Sequence, residues 1–138
     1  MQQSSLAQLD RLGVRTAPPT RPVEMLSGGQ RQVVAIARSA VRVMEAGKPG
    51  VLLMDEPTAA LGYEQTRMVE GLIRRMADQG IAIVLVTHNL PLCFAVSDRI
   101  VVMNRGRKMA DVKAASTDRD SVVGWITGAR APQIDPEA

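Results

Sequence analysis

The chain has 138 residues, a formal net charge of +3 and 46% hydrophobic residues, with one cysteine and one each of Tyr, Phe and Trp. This is material for one domain with an aliphatic core, and it excludes an internal disulfide. The basic residues are scattered, which describes a solvated surface and no nucleic-acid track.

No run reaches the roughly 18–20 apolar residues of a membrane span. The first residues, Met1-Gln2-Gln3-Ser4, lack the charged and apolar regions of a secretory leader. The sequence therefore reads as soluble and cytoplasmic, free to dock on a membrane protein. Leu6, Leu9 and Leu12 predict a short helix over 5–12, stopped by Gly13, and the Pro- and Thr-rich stretch 14–25 predicts a linker. The longest helical pattern follows, from about Gly29 to Ala46. Val33, Ile36, Ala37, Ala40, Val41 and Met44 fall on one broad face, and Arg31, Arg38, Arg42 and Glu45 on another. Gly47 and Pro49 are its stop signals. Its start, Leu26-Ser27-Gly28-Gly29-Gln30, has two readings. It is a turn with an N-cap, and it is also an anion site. The hydroxyl and unpaired N–H groups point one way, the macrodipole adds positive potential, and the glycines let the backbone approach a phosphate.

Val51-Leu52-Leu53-Met54 is an unbroken apolar run, which predicts a strand buried on both faces, as in a parallel sheet. It ends at Asp55-Glu56-Pro57-Thr58. A helix over 64–79 carries Val69, Leu72, Ile73 and Met76 on one face, with Glu70 and Arg74 as a favourable pair and Gly80 as its stop. Ile81 to Val86 predicts a second buried strand, ending at Thr87-His88-Asn89. A shorter helix spans about 90–96 with Pro91 in its first turn. Residues 99–104 and 108–112 predict a hairpin about Arg105-Gly106-Arg107. Ser116 or Thr117 caps a last helix to about Thr127 that buries Val122, Val123 and Ile126, and 129–138 reads as a frayed, flexible tail.

The order strand–helix–strand–helix with apolar strands predicts an α/β fold, whose chemistry sits at the carboxyl ends of the strands. Asp55, Glu56 and His88 all fall there. An Asp in that place can hold Mg²⁺, directly or through water. Glu56 can orient or deprotonate a water for attack on a phosphoryl group. His88 can contact the γ-phosphate or the attacking water. The plainer alternatives are a turn that ends a strand and a hydrogen-bonded surface histidine.

Three stretches, in this order, resemble the ATP-binding-cassette ATPases. Leu26-Ser27-Gly28-Gly29-Gln30 is similar to their signature motif. Val51 to Glu56 is similar to their Walker B strand, and Pro57-Thr58-Ala59-Ala60-Leu61 to the start of the D-loop. Val86-Thr87-His88 is similar to the switch-histidine strand. The resemblance covers about 14–128, and residues 55–62 with the 99–112 hairpin are most similar to ATPase subunits of bacterial sugar importers.

The resemblance implies a partial P-loop NTPase domain of the cassette type, with a mostly parallel sheet, a signature helix and a C-terminal β-hairpin plus helix. It would occupy 1–128, with a helical part over about 5–48 and a catalytic core part over about 49–128. In this family two ATPase domains sandwich two ATP molecules with Mg²⁺. Ser27, Gly28 and Gly29 would face the γ-phosphate bound by the opposite subunit, and Gln30 would help shape that site. Asp55 would hold the Mg²⁺ shell, through water; Glu56 would be the catalytic carboxylate; His88 would sense the γ-phosphate. The implied partners are a second ATPase domain, transmembrane permease subunits and, indirectly, a periplasmic sugar-binding protein, with no nucleic acid. The implied place is the cytoplasm, at the inner face of the plasma membrane through the permease.

Two departures matter. The phosphate-binding loop G-x-x-x-x-G-K-[ST] is not in the sequence: ahead of Gly47-Lys48, Arg42 stands where the first Gly belongs, and Pro49 replaces the Ser/Thr. The family's glutamine switch loop and adenine-stacking aromatic have no match either. Gly62 stands where the D-loop usually ends in Asp. The expectation is a piece of a transport ATPase that does not turn over ATP by itself. An open hydrophobic sheet edge would make it poorly soluble or loosely packed. The alternatives are a non-catalytic regulatory module that offers Ser27-Gly28-Gly29 to an intact partner, and a soluble ATPase of the superfamily outside transport.

Overall fold

A computed structural model describes residues 22–46, 50–59 and 61–135. The helix predicted over 5–12, most of the linker, and the stop signals at Gly47 and Pro49 lie outside these residues. The chain divides into two compact units, one up to His88 and one from Asn89, where composition suggests a single domain. Strand pairing explains the division. β1 (Val51–Asp55) and β2 (Ala82–Val86) form one parallel sheet, and β3 (Arg99–Asn104), β4 (Arg107–Lys113) and β5 (Gln133–Ile134) form another. Within the first unit the long helix α1 (Gly28–Glu45) packs on β1 and on α2 (Tyr63–Asp78).

In the first unit the helical periodicities produce the expected faces. α1 buries Val33, Ile36, Ala37, Ala40 and Val41, and α2 buries Val69, Leu72, Ile73 and Met76. α2 ends as Gly80 requires. With φ at +82°, Gly80 donates its N–H to Ala77 O, and Ile81 donates to Met76 O, the paired closure of a left-handed C-terminal turn. The buried Ile81 then leads into β2.

The strands differ from the expectation of burial on both faces. Leu52 and Met54 are buried, but Val51 and Leu53 are exposed, and so are Val84 and Val86 in β2. The register pairs Val51 with Ala82, Leu53 with Val84 and Asp55 with Val86, so the exposed residues share one face. An apolar run shows that both faces suit a buried sheet. The described residues supply a covering layer of helices to only one of them.

In the second unit, α3 (Leu90–Val96) is capped by Asn89, whose Oδ1 accepts from Leu92 N, and has Pro91 in its first turn. β3 and β4 form the predicted hairpin, with Arg105 and Gly106 both at positive φ in its turn. The last helix, α4 (Arg119–Thr127), starts at Asp118, not at Ser116 or Thr117. The Asp118 carboxylate accepts from Ser121 N at 2.8 Å. Its core face is also different. Val122 and Trp125 are buried, whereas Val123 and Ile126 are exposed. The indole takes the inward position one turn after Val122, in a core with Ile100, Val102, Ala110 and Val112.

Of the expected tail, residues 129–135 are described, and they pair with the second unit. β5 pairs in parallel with β4, Asp135 N–H donates to Asp111 O, and the Trp125 indole N–H donates to Ala131 O at 3.0 Å. The carbonyl that satisfies the buried indole belongs to this segment, so burying Trp125 also anchors the chain behind it.

Candidate functional site

The turn from Leu26 to Gln30 is built by helix capping. Ser27 is the N-cap of α1: Gln30 N–H donates to Ser27 Oγ at 3.2 Å, and Ser27 N–H donates to Gln30 Oε1 at 2.9 Å. This reciprocal box satisfies two of the donors a helix start leaves open. The first-turn amides of Gly28 and Gly29 have no intrahelical partner by position. Arg31, read from the sequence as part of a polar face, donates Nη1 to Leu26 O at 2.7 Å and braces the turn from behind. The N-cap reading of Ser27 is thus realised, and Gln30 is engaged in the cap.

The second group forms where β1 and β2 end together. Asp55 is the last residue of β1 and lies beside Val86 in register. Glu56 N–H continues the ladder by donating to Val86 O at 2.8 Å. Glu56 has φ at +44°, a left-handed conformation that costs an L-residue energy and that often marks functional positions. Its carboxylate meets three groups from the end of β2. His88 N–H donates to Oε1 at 2.9 Å, His88 Nδ1 lies 2.7 Å from Oε1, and Thr87 Oγ1 donates to Oε2 at 3.3 Å. The His88 side chain is 85% exposed, so one ring edge is held while the rest faces solvent. The hydrogen bond from the His88 side chain holds the Glu56 carboxyl below the ordinary carboxylate value; partial burial opposes this, and the His88 backbone N–H and the Thr87 hydroxyl add to it. Glu56 is therefore an acceptor at neutral pH.

The structure brings Glu56, Thr87 and His88 together and keeps Ser27 and Gln30 engaged with each other. Asp55 is exposed at the strand end. A shallow cavity of about 190 Å³ opens near it between α1 and β1, with Gln32, Ser39 and Pro57 in its lining. This is below the roughly 300–1,000 Å³ of small-molecule pockets. Among the described residues no three acidic, His or Cys side chains cluster as an all-protein metal cage. The donor set suits a Mg²⁺ that keeps waters and takes a carboxylate plus substrate phosphates. After β1 the chain makes two turns, Ala59 N–H to Glu56 O and Leu61 N–H to Thr58 O. Gly62 follows as the N-cap of α2.

Sequence reasoning missed Thr87, although its hydroxyl beside His88 was a readable signal. It also missed the left-handed Glu56, for which no local signal exists.

The sequence profile of the family described as ABC transporter matches residues 2–59. The chain is 41% identical over 133 residues to the fructose import ATP-binding protein FrcA of Rhizobium meliloti, covering 96% of this chain and 49% of that protein. It is 38% identical over 127 residues to the xylose/arabinose import ATP-binding protein XylG of Sulfolobus acidocaldarius, covering 92% and 49%. Among solved structures, a metal-chelate type ABC transporter in an inward-facing conformation matches with a TM-score of 0.73 at 24% identity, over 91% of this chain and 48% of that one. The ATP-binding cassette MJ1267 of an ABC transporter matches with a TM-score of 0.69 at 23% identity, over 89% and 48%. This chain is similar to the ATP-binding-cassette ATPases and has the fold of part of their ATPase domain. Within that group it is similar to sugar-import ATP-binding subunits, and it spans about half the length of the two named here.

Proposed function

We propose that this chain is part of an ABC-type ATPase that powers carbohydrate import. It would contribute the catalytic carboxylate and the signature half of a shared ATP site. The observation that carries the reading is the Glu56–His88 pair, 2.7 Å apart at the ends of two parallel strands. Glu56 orients or deprotonates the water that attacks the γ-phosphate, and His88, held at one edge by Glu56, senses that phosphate. Asp55 would hold Mg²⁺ through water, and the bound metal would supply charge neutralisation at the phosphates. Ser27, Gly28 and Gly29 face the γ-phosphate of a nucleotide held by a second ATPase domain, and Gln30 fixes Ser27 through the cap. The first-turn amides and the helix dipole support that role.

Import of sugar rests on the names of the relatives. Its partners are transmembrane permease subunits and, through them, a periplasmic sugar-binding protein, which puts the ATPase at the cytoplasmic face of the membrane. The backbone cradle and Lys of a phosphate-binding loop are not among these residues, so this chain by itself does not turn over ATP. The test is phosphate release by the purified chain beside Glu56→Gln. Equal background rates are expected. Turnover that Glu56→Gln removes would overturn the requirement for a loop supplied from elsewhere.

A further inference from the structure

Gly28 and Gly29 are adjacent and not equivalent. A Cβ on Gly28 would meet nothing within 4 Å, whereas a Cβ on Gly29 would lie 2.3 Å from Gln65 Cγ and 2.9 Å from Gln65 Cβ. The same side chain closes the space at Gly62, where a Cβ would lie 2.7 Å from Gln65 Oε1. Gly29 is a helical residue, and Gly62 has φ at −71°. Neither backbone conformation demands glycine; at Gly29 the side chain of Gln65 does. Gln65 stands in the first turn of α2, the helix packed on α1.

We propose that Gln65 is a positioning residue for the signature turn. Its side chain fills the slot between Gly29 in α1 and Gly62 at the head of α2, and so sets how closely the two helix starts approach. This deepens the proposed function and rests on its reading of Ser27 to Gln30 as the phosphate-facing turn. The two glycines respond differently to substitution. At Gly29 the obstruction includes Gln65 Cβ, which moves only with the α2 backbone, as well as Cγ, which a change of χ1 can move. At Gly62 it is the mobile amide end, which rotates away.

The test uses the full 138-residue chain, ¹⁵N-labelled, with thermal midpoint and the amide resonances of Ser27, Gly28, Gly29 and Gln30 as readouts. Gly29→Ala is expected to displace those resonances and lower the midpoint by roughly 5–15 °C, the range for overpacking in a small unit. Adding Gln65→Ala should recover at least half of that drop. Gly62→Ala should cost far less than Gly29→Ala. Should Gly29→Ala fail to fold, Gln65→Ala alone should displace the same four amides, and Gln65→Met, of similar length, should leave them near their native positions. Unmoved amides in Gln65→Ala, or no recovery in the double variant, would overturn the proposal. A lowered midpoint with unmoved amides would also overturn it, since that is packing without positioning. No nucleotide enters these measurements, so their failure and the failure of the ATP reading are distinct.

Discussion

Four residues on the open face of the β1–β2 sheet set a measurable liability. Val51, Leu53, Val84 and Val86 are 56%, 74%, 50% and 56% exposed. Full burial of a Val or Leu side chain is worth about 1.5–3 kcal/mol. With half to three quarters of each residue still in water, about 3.5–7 kcal/mol of burial is left uncollected on this face. That corresponds to about 10²–10⁵-fold in a binding equilibrium before the cost of association, a driving force for docking on an apolar surface. The perturbation is the double substitution Leu53→Thr/Val84→Thr, at positions paired in register. Thr keeps the β-branched shape that strands favour while removing apolar surface. Binding of a hydrophobic dye should fall by about half or more, and the concentration at which the chain aggregates should rise. The thermal midpoint should move by less than about 3 °C, because the deleted groups already face solvent. Unchanged dye binding together with a midpoint lowered by about 8 °C or more would mean that this face is packed, and would refute the reasoning.

The second unit depends on its one Trp. Trp125→Ala should cost about 3–5 kcal/mol in chemical denaturation followed by circular dichroism, through lost burial and an indole bond to Ala131 that is no longer made; a loss under about 1 kcal/mol would show that the helix packs without it. Acid stability should track Asp111, whose buried carboxylate is paired with Arg99 at 2.6 Å and Lys108 at 2.8 Å. The Arg99 hydrogen bond, then that of Lys108, hold the Asp111 carboxyl well below its ordinary 3.8 in the folded chain. Its contribution is therefore fully present above that value and fades as pH falls below it. Asp111→Asn should lower the midpoint at pH 7, with wild type and variant drawing together below pH 3.8. A difference that stays constant through that range would exclude this linkage.

Much of the fold was legible because its elements obey simple periods. The faces of α1 and α2 follow from Val33, Ile36 and Ala37 and from Val69, Leu72, Ile73 and Met76, and the stop at Gly80 follows from its left-handed turn. The strand-end pair was legible as well, since two apolar runs each end in titratable residues. What was not legible depends on choices between neighbours. Thr117 and Asp118 are both good caps, and only the three-dimensional approach of Ser121 N decides for Asp118. Val123 and Ile126 fit a helical stripe as well as Val122 does, until the larger Trp125 takes the inward position. The apolar character of Val51 and Leu53 says that a face prefers cover, and it cannot say whether nearby residues provide it. Gln65 is an ordinary helix former in sequence, and its role emerges only from the two backbones it lies between.

The most direct measurement joins a phosphate-binding half from a sugar-import ATP-binding subunit ahead of this chain and follows ATP hydrolysis by the folded hybrid. Hydrolysis should appear, and Glu56→Gln should lower it by about 10²–10⁴-fold, the usual scale of a lost general base. A folded hybrid that hydrolyses ATP equally well with Glu56→Gln, or does not hydrolyse it at all, would contradict the assignment of Glu56 as the catalytic carboxylate of a shared ATP site.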